Sequence, residues 1–243
     1  RIMNEYISDD DLEFILTKSI VHLGIIAARC TGLSSFNSRA ALAASFIPSA
    51  LLNIASRSML LKLFNRTLFF DQRETPPFAF NFGEQFRIAL SPANFRDALL
   101  ASGSIPFVME GIKGISGAPA GTYRDGGITD YHLNIDYGVR NGIILYPHFS
   151  SRIIPGWLDK SLKWRKHDPS LLSNVLFVAP SGKFINSLPF GKIPDRTDFV
   201  NFVNRDSERL RYWNEVIDKS RITGEEFMEA VTSGKLKDII RPL

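Results

Sequence analysis

Two rhythms of apolar spacing alternate along this chain, one of helical period and one of short, nearly continuous apolar runs. Ser8-Asp9-Asp10-Asp11, followed by Leu12, Ile15 and Leu16, predicts a helix capped by Ser8, with acids in its first turn and an end near Lys18. Ile20 to Ala28 is apolar with β-branched residues and no clean alternation, the pattern of a strand buried on both faces, with His22 as a satisfied core group. Arg39 to Phe64 has helical tendency, and Pro48, which lacks a backbone donor and crowds the preceding turn, predicts a break into two helices.

Thr75-Pro76-Pro77 predicts an extended break before a short strand over Phe86 to Leu90. Ser91-Pro92 then reads as a helix start, with Phe95, Ala98, Leu99 and Ser102 on one face and Gly103 and Pro106 as the stop. Gly111 to Gly127 is glycine-rich with few bulky residues and predicts a loop. Two more apolar strands follow, Ile143 to Tyr146 and Asn174 to Ala179, separated by Trp157, Trp164 and the basic cluster Lys163 to His167, which reads as a surface segment. In the tail, Leu210, Trp213 and Ile217 recur at helical spacing, Glu215 and Lys219 form an i,i+4 pair, and Thr223-Gly224-Glu225-Glu226 predicts a capping box opening a second helix that Gly234 ends. The expectation is an α/β fold with a mainly parallel sheet flanked by helices.

Composition narrows the function classes. With 243 residues, 44% hydrophobic and 22% charged, the chain can bury one sizeable core or a core plus an appendage, which excludes a disordered protein. The net charge of +4 suits contact with anionic headgroups and is too small to argue for nucleic acid. Cys30, the single cysteine, excludes an internal disulfide and fits a reducing compartment such as the cytoplasm, with peripheral contact to a membrane. The 17 uncharged residues from Ala40 to Ser56 are short and polar for a span, so a buried or interface-facing helical pair is the better reading. No signal peptide is read at the Arg1 end. No histidine pair has metal-binding helical spacing, no P-loop or dinucleotide fingerprint occurs, and neither a metal nor a cofactor is expected.

Asp125-Gly126-Gly127 is the strongest candidate for chemistry, because two residues without side chains let the backbone turn and a substrate approach the carboxylate, which then acts as a general base. In isolation the tripeptide is ordinary turn composition. His132, seven residues on, invites a Ser-His-Asp reading, although a histidine beside Tyr131 in a turn is more often structural.

Upstream of this turn stands Ala101-Ser102-Gly103-Ser104-Ile105-Pro106, and the two blocks in this order resemble the second half of a patatin-like phospholipase, as does the continuation Ile128-Thr129-Asp130-Tyr131-His132. The resemblance covers about residues 1–135, which it implies are the C-terminal portion of a patatin-like catalytic domain lacking its N-terminal strands, with 136–243 as remaining strands and a helical extension. It implies lipid or phospholipid acyl hydrolysis by a Ser–Asp dyad without histidine or cofactor, in which Asp125 is the base and Gly126 and Gly127 complete the motif. The nucleophile elbow G-x-S-x-G occurs nowhere between Arg1 and Leu243, nor does a family-type glycine-rich oxyanion loop, so the dyad's serine is expected N-terminal to this chain. Ser102 and Ser104 lack the elbow's flanking small residues and read as helix termination and packing. The competing expectation is a non-catalytic lipid-binding or interaction module, and composition alone raises a protein-partner role for the segment around Trp164. The oligomeric state is not encoded in any of these patterns.

Overall fold

The computed structural model describes residues 2–76, 85–139 and 141–242, so Pro77 of the expected proline break lies outside the described residues. The chain divides into two compact units, one formed by 1–142 with 153–174 and the other by 143–152 with 175–243. This division interleaves the chain.

In the first unit, α1 (Ile2–Tyr6) and α2 (Asp9–Glu13) precede a π-helical turn over Phe14–Lys18. The Ser8 cap is as expected: the Asp11 N–H donates to Ser8 Oγ at 3.1 Å and the Ser8 N–H donates to Asp11 Oδ2 at 2.9 Å. Next come β1 (Gly24–Cys30), α3 (Arg39–Ala55), α4 (Arg57–Leu60), β2 (Phe64–Phe70), β3 (Gln85–Ala89), α5 (Phe95–Ser102), β4 (Ile112–Lys113), β5 (Thr122–Asp125) and α6 (Gly127–Asp130). The five strands form one mixed sheet in the order β3-β2-β1-β5-β4.

The α/β class holds, and the pairing corrects the expectation of a mainly parallel sheet. Within this sheet, among the described residues, only β2 with β3 is parallel; β1 runs antiparallel to both β2 and β5, and β4 antiparallel to β5. The reason lies in the segment between β1 and β2. Cys30 sits opposite Phe64, and the Thr31 N–H donates to Leu63 O at 3.2 Å, so α3 and α4 form an excursion that leaves and re-enters at the same end of the sheet. A parallel partner would need a crossover to the opposite end.

Alternation along β1, β2 and β5 assigns one core to each face. On one side Ile25, Ala27, Phe69 and Tyr123 pack with Leu12 of α2 and with Phe95, Ala98 and Ala101 of α5. On the other, Ala28, Cys30 and Phe64 pack with Leu42 and Phe46 of α3, Leu60 of α4 and Ile128 of α6. Full burial of each large side chain contributes about 1.5–3 kcal/mol, and this double coverage is what the apolar run in β1 encodes.

Several boundaries moved. The strand begins at Gly24, and Ile20 (96% exposed) precedes it. His22 is no core group: it sits before the strand at the surface, with Nδ1 2.9 Å from the exposed Glu74 carboxylate. The α5 helix starts at Phe95, after a turn in which the Phe95 N–H donates to Ser91 O at 3.0 Å. Part of the expected glycine loop is the buried strand β5, made possible because Arg124, wholly buried, donates to Phe36 O, Met109 O and Asn37 Oδ1 at 2.7–3.2 Å.

Pro48 does not break α3. Its ring sits on the exposed side, while Leu42, Ser45, Phe46, Ser49 and Asn53 make a continuous buried face. The Ser45 hydroxyl donates to Leu42 O at 2.8 Å and the Ser49 hydroxyl to Ser45 O at 2.6 Å, giving carbonyls of this stretch additional partners.

Two charged clusters fix helices to this sheet. Arg66 in the buried strand β2 grips Asp130 at the end of α6 through two bonds of 2.6 Å, with side chains 4% and 2% exposed. Asp159, wholly buried, accepts from Arg57, from Asn53 Nδ2 at 2.7 Å, from Arg165 at 3.2 Å and from the Gly156 N–H at 2.9 Å, tying α3 and α4 to the 153–174 segment.

The second unit holds β6 (Ile144–Pro147) and β7 (Val175–Val178), a parallel pair, with α7 (Gly182–Ser187), α8 (Asp198–Asn201), α9 (Asp206–Thr232) and α10 (Leu236–Ile239). Leu188, Phe202, Tyr212 and Val216 form its core. The helix α9 runs unbroken through the expected capping box, because the Thr223 hydroxyl donates back to Ser220 O at 2.7 Å instead of capping a new start, and Gly234 follows its end at φ +73°. The Glu215–Lys219 pair forms at 3.1 Å. No helix among the described residues is long and apolar enough to cross a membrane.

Asp130→Ala leaves the Arg66 guanidinium buried without its carboxylate and should lower stability by about 3–5 kcal/mol in chemical denaturation, whereas replacing both partners with apolar residues of similar volume should cost much less. Equal losses in the two variants would contradict the pairing.

Candidate functional site

Asp125 ends β5, opposite Ala27 of the central strand, and α6 begins two residues later. The Asp125 N–H donates to Ser104 O at 3.1 Å. Through that bond the structure brings together the two sequence blocks, the small-residue segment after α5 and the Asp-Gly-Gly turn.

The glycines act differently from the turn-forming role expected of them. Gly126 has helical dihedrals, φ −60° and ψ −23°, that any residue adopts. Its requirement is space: a Cβ there would lie 2.4 Å from the Ile26 carbonyl oxygen of β1, a backbone atom that cannot rotate aside. At Gly127 a Cβ would stand 3.0 Å from Asp125 Oδ1 and 3.2 Å from the Tyr131 ring. Its absence lets the carboxylate fold onto the Gly127 N–H, which donates to Oδ1 at 2.7 Å.

Asp125 is half-buried. Burial pushes its carboxyl above the ordinary value of 3.8, against the opposing pull of the Gly127 N–H and the charge of Lys160. Among the described residues it makes no ion pair, in contrast to Asp130 and Asp159, whose oxygens are occupied by arginines. The result is a partly desolvated carboxylate with one oxygen fixed by a backbone amide and a raised affinity for a proton, the properties of a general base.

Lys160, absent from the residues picked out in the sequence, lies with Nζ 3.9 Å from the centroid of the Tyr131 ring. It reaches this place because the Tyr131 N–H donates to Pro155 O at 2.9 Å and the His132 N–H to Ile154 O at 3.0 Å, which lay the 153–160 segment along α6. No spacing in the sequence signals this approach across about 30 positions.

The other candidates have structural roles. His132 is buried, and its Nδ1 accepts from the Ile154 N–H at 2.8 Å, which fixes the ring and occupies the atom a triad would use. Ser104 is fully buried and its hydroxyl donates to Leu100 O at 2.7 Å, closing the end of α5. Burial raises the Cys30 thiol to about 12, so it stays protonated and unreactive. Among the described residues no three His, Cys, Asp or Glu side chains are grouped to hold a metal ion.

Comparison of the chain with protein-family models, with curated proteins and with solved structures finds no match.

Because the folded-state value for Asp125 lies above the unfolded one, the charged carboxylate opposes folding at neutral pH. That handicap is relieved as pH falls through the folded-state value, and is gone below the ordinary 3.8. Asp125→Asn retains an oxygen for the Gly127 N–H, so the variant should melt above the parent chain at pH 7, and the gap should close on acidification. A variant that melts lower at pH 7, or a gap independent of pH, would overturn the desolvated state of this group.

Proposed function

We propose that the protein belongs to a lipid acyl hydrolase of patatin-like type, with Asp125 as the base of a Ser–Asp dyad. The single observation that supports this reading is the condition of Asp125: half-buried, free of an ion pair among the described residues, held by the Gly127 amide and bonded through its own N–H to Ser104 O of the small-residue block. A carboxylate serving only to shape a turn has no need of a raised proton affinity.

In this mechanism the Asp125 carboxylate takes the proton of a serine hydroxyl as the serine oxygen attacks the acyl carbonyl, and backbone amides hold the developing oxyanion. Collapse expels the alcohol, which leaves with the proton from Asp125. Water then attacks the acyl-serine by the same route and frees the fatty acid. The substrate is an ester in a lipid or phospholipid. The reading requires the serine and its oxyanion donors from sequence N-terminal to Arg1, since residues 1–243 hold no G-x-S-x-G.

The test is hydrolysis of a short-chain nitrophenyl ester and of phospholipid vesicles by the protein that includes the segment upstream of Arg1, with a fluorophosphonate probe reporting its serine. Asp125→Asn should reduce kcat by about 10²-fold or more with the fold retained. Turnover at the parent level in that variant, or an upstream sequence without a reactive serine, would reject the dyad and favour a non-catalytic lipid-binding module.

A further inference from the structure

The helix α3 is apolar on its outer face. Its buried side carries Ser45, Ser49 and Asn53 beside Leu42 and Phe46, whereas the exposed stripe carries Ala44, Ile47, Pro48, Leu51, Ile54 and Ala55 with no charged or hydrogen-bonding side chain among them. Ile47 is 68% exposed and Leu51 64%. A helix resting against water presents polar residues on its outer face, so this stripe is built to meet an apolar medium.

The charge around the stripe indicates which medium. From Phe14 to Phe70 the sequence has no Asp or Glu and six Lys or Arg, of which Lys18, Arg57 and Arg66 are paired with Glu13, Asp159 and Asp130. Arg39, at the first position of the helix, is exposed, and so is Lys62, just beyond α4. At the C-terminal end, Arg165 donates to Ile54 O at 3.1 Å, which anchors the segment Lys163-Trp164-Arg165-Lys166 to the last turn of α3. Trp164 is 63% exposed there and stacks on Arg165 at 5.0 Å, between the exposed Lys163 and Lys166. Asp159 at this end is wholly buried and paired with Arg57 and Arg165, and the exposed Asp168 stands two residues beyond Lys166. On the flank of the N-terminal half, where Phe107 packs on Phe46 at 5.4 Å, Val108 adds further exposed apolar surface, with Glu110 two residues on.

An apolar stripe about 18 Å long, cations at both ends and an exposed tryptophan among lysines are the features of a helix that lies in the headgroup region of an anionic bilayer, its apolar side chains entering the acyl boundary and its cations meeting lipid phosphates. We propose that the exposed face of α3, together with the Lys163–Lys166 segment, is a peripheral docking surface for membranes containing anionic phospholipid. The helix lies on the bilayer and does not cross it. The surface stands independently of the hydrolase reading, since Asp125 plays no part in it.

The experiment is co-sedimentation of the 243-residue chain with vesicles of phosphatidylcholine alone and of phosphatidylcholine mixed with phosphatidylserine, at low and high salt. Binding should favour the anionic vesicles and weaken as salt screens the cations. The pair I47E and L51E, placed on exposed positions, should weaken it about tenfold or more with the circular dichroism spectrum unchanged. K163E with K166E, which leaves the helix untouched, should weaken it to a similar degree. D125N should bind as the parent does, so that a failed hydrolase assay and a failed docking surface give different results. Absence of binding to anionic vesicles, or parent-level binding by both charge-bearing variants, overturns the proposal. A dimer broken by I47E and L51E, without vesicle binding, would assign the face to a second copy of the chain.

Discussion

The close approach of Gly126 to the Ile26 carbonyl is the constraint on which the candidate site depends. Because no Cβ intervenes at 2.4 Å, the chain leaving β5 can press against the central strand and enter α6 without first moving away from the sheet. Asp125 is thereby held at the end of β5, its N–H on Ser104 O and its carboxylate on the Gly127 amide. One turn later the same path delivers Asp130 to Arg66, so the position of the candidate base and the anchoring of α6 have a common origin.

Asp125, Asp130 and Asp159 lie in the same unit and are held differently, and their environments separate their roles. Asp130 and Asp159 are buried and held by arginines, which makes them structural: each closes a helix or loop onto the sheet, and removing either partner would strand a buried charge. Asp125 is more open and has an amide where the others have guanidinium groups. Lys160 is near enough to lower its proton affinity but does not cancel the effect of burial. Of the three, Asp125 is the one without an arginine partner among the described residues, and burial raises its affinity for a proton.

The sequence was informative wherever a local rule decided the outcome. Ser8 caps α2 through the reciprocal bonds its spacing with Asp11 predicts, and Gly103 ends α5 as expected. Strands β3, β6 and β7 fall within a residue or two of the expected runs. Where tertiary partners decide, the local rule gave way. Pro48 stays within α3 because its ring faces outward and a continuous face of the helix is buried beneath it. Thr122 to Asp125 is a strand despite its glycine-rich surroundings, since Arg124 finds three oxygens on other segments. The antiparallel pairing of β1 with β2 depends on where a 33-residue excursion returns, which no residue pattern announces. At the site, Asp125 and its two glycines could be picked out from the motif, but the physical reason for Gly126 is contact with β1 and not turn geometry. Lys160 was invisible because its proximity arises from backbone bonds between Tyr131, His132 and residues 154–155.

The central claim is that the Asp125 carboxyl is desolvated and not neutralised by a cation. Its most direct measurement is the carboxyl ¹³C chemical shift of Asp125 followed through an acid titration of the folded chain, assigned by loss of the signal in Asp125→Asn. The midpoint should lie above the ordinary 3.8. A midpoint at or below that value would mean that the group is solvated or paired, and the claim that it is poised to take a proton would fail.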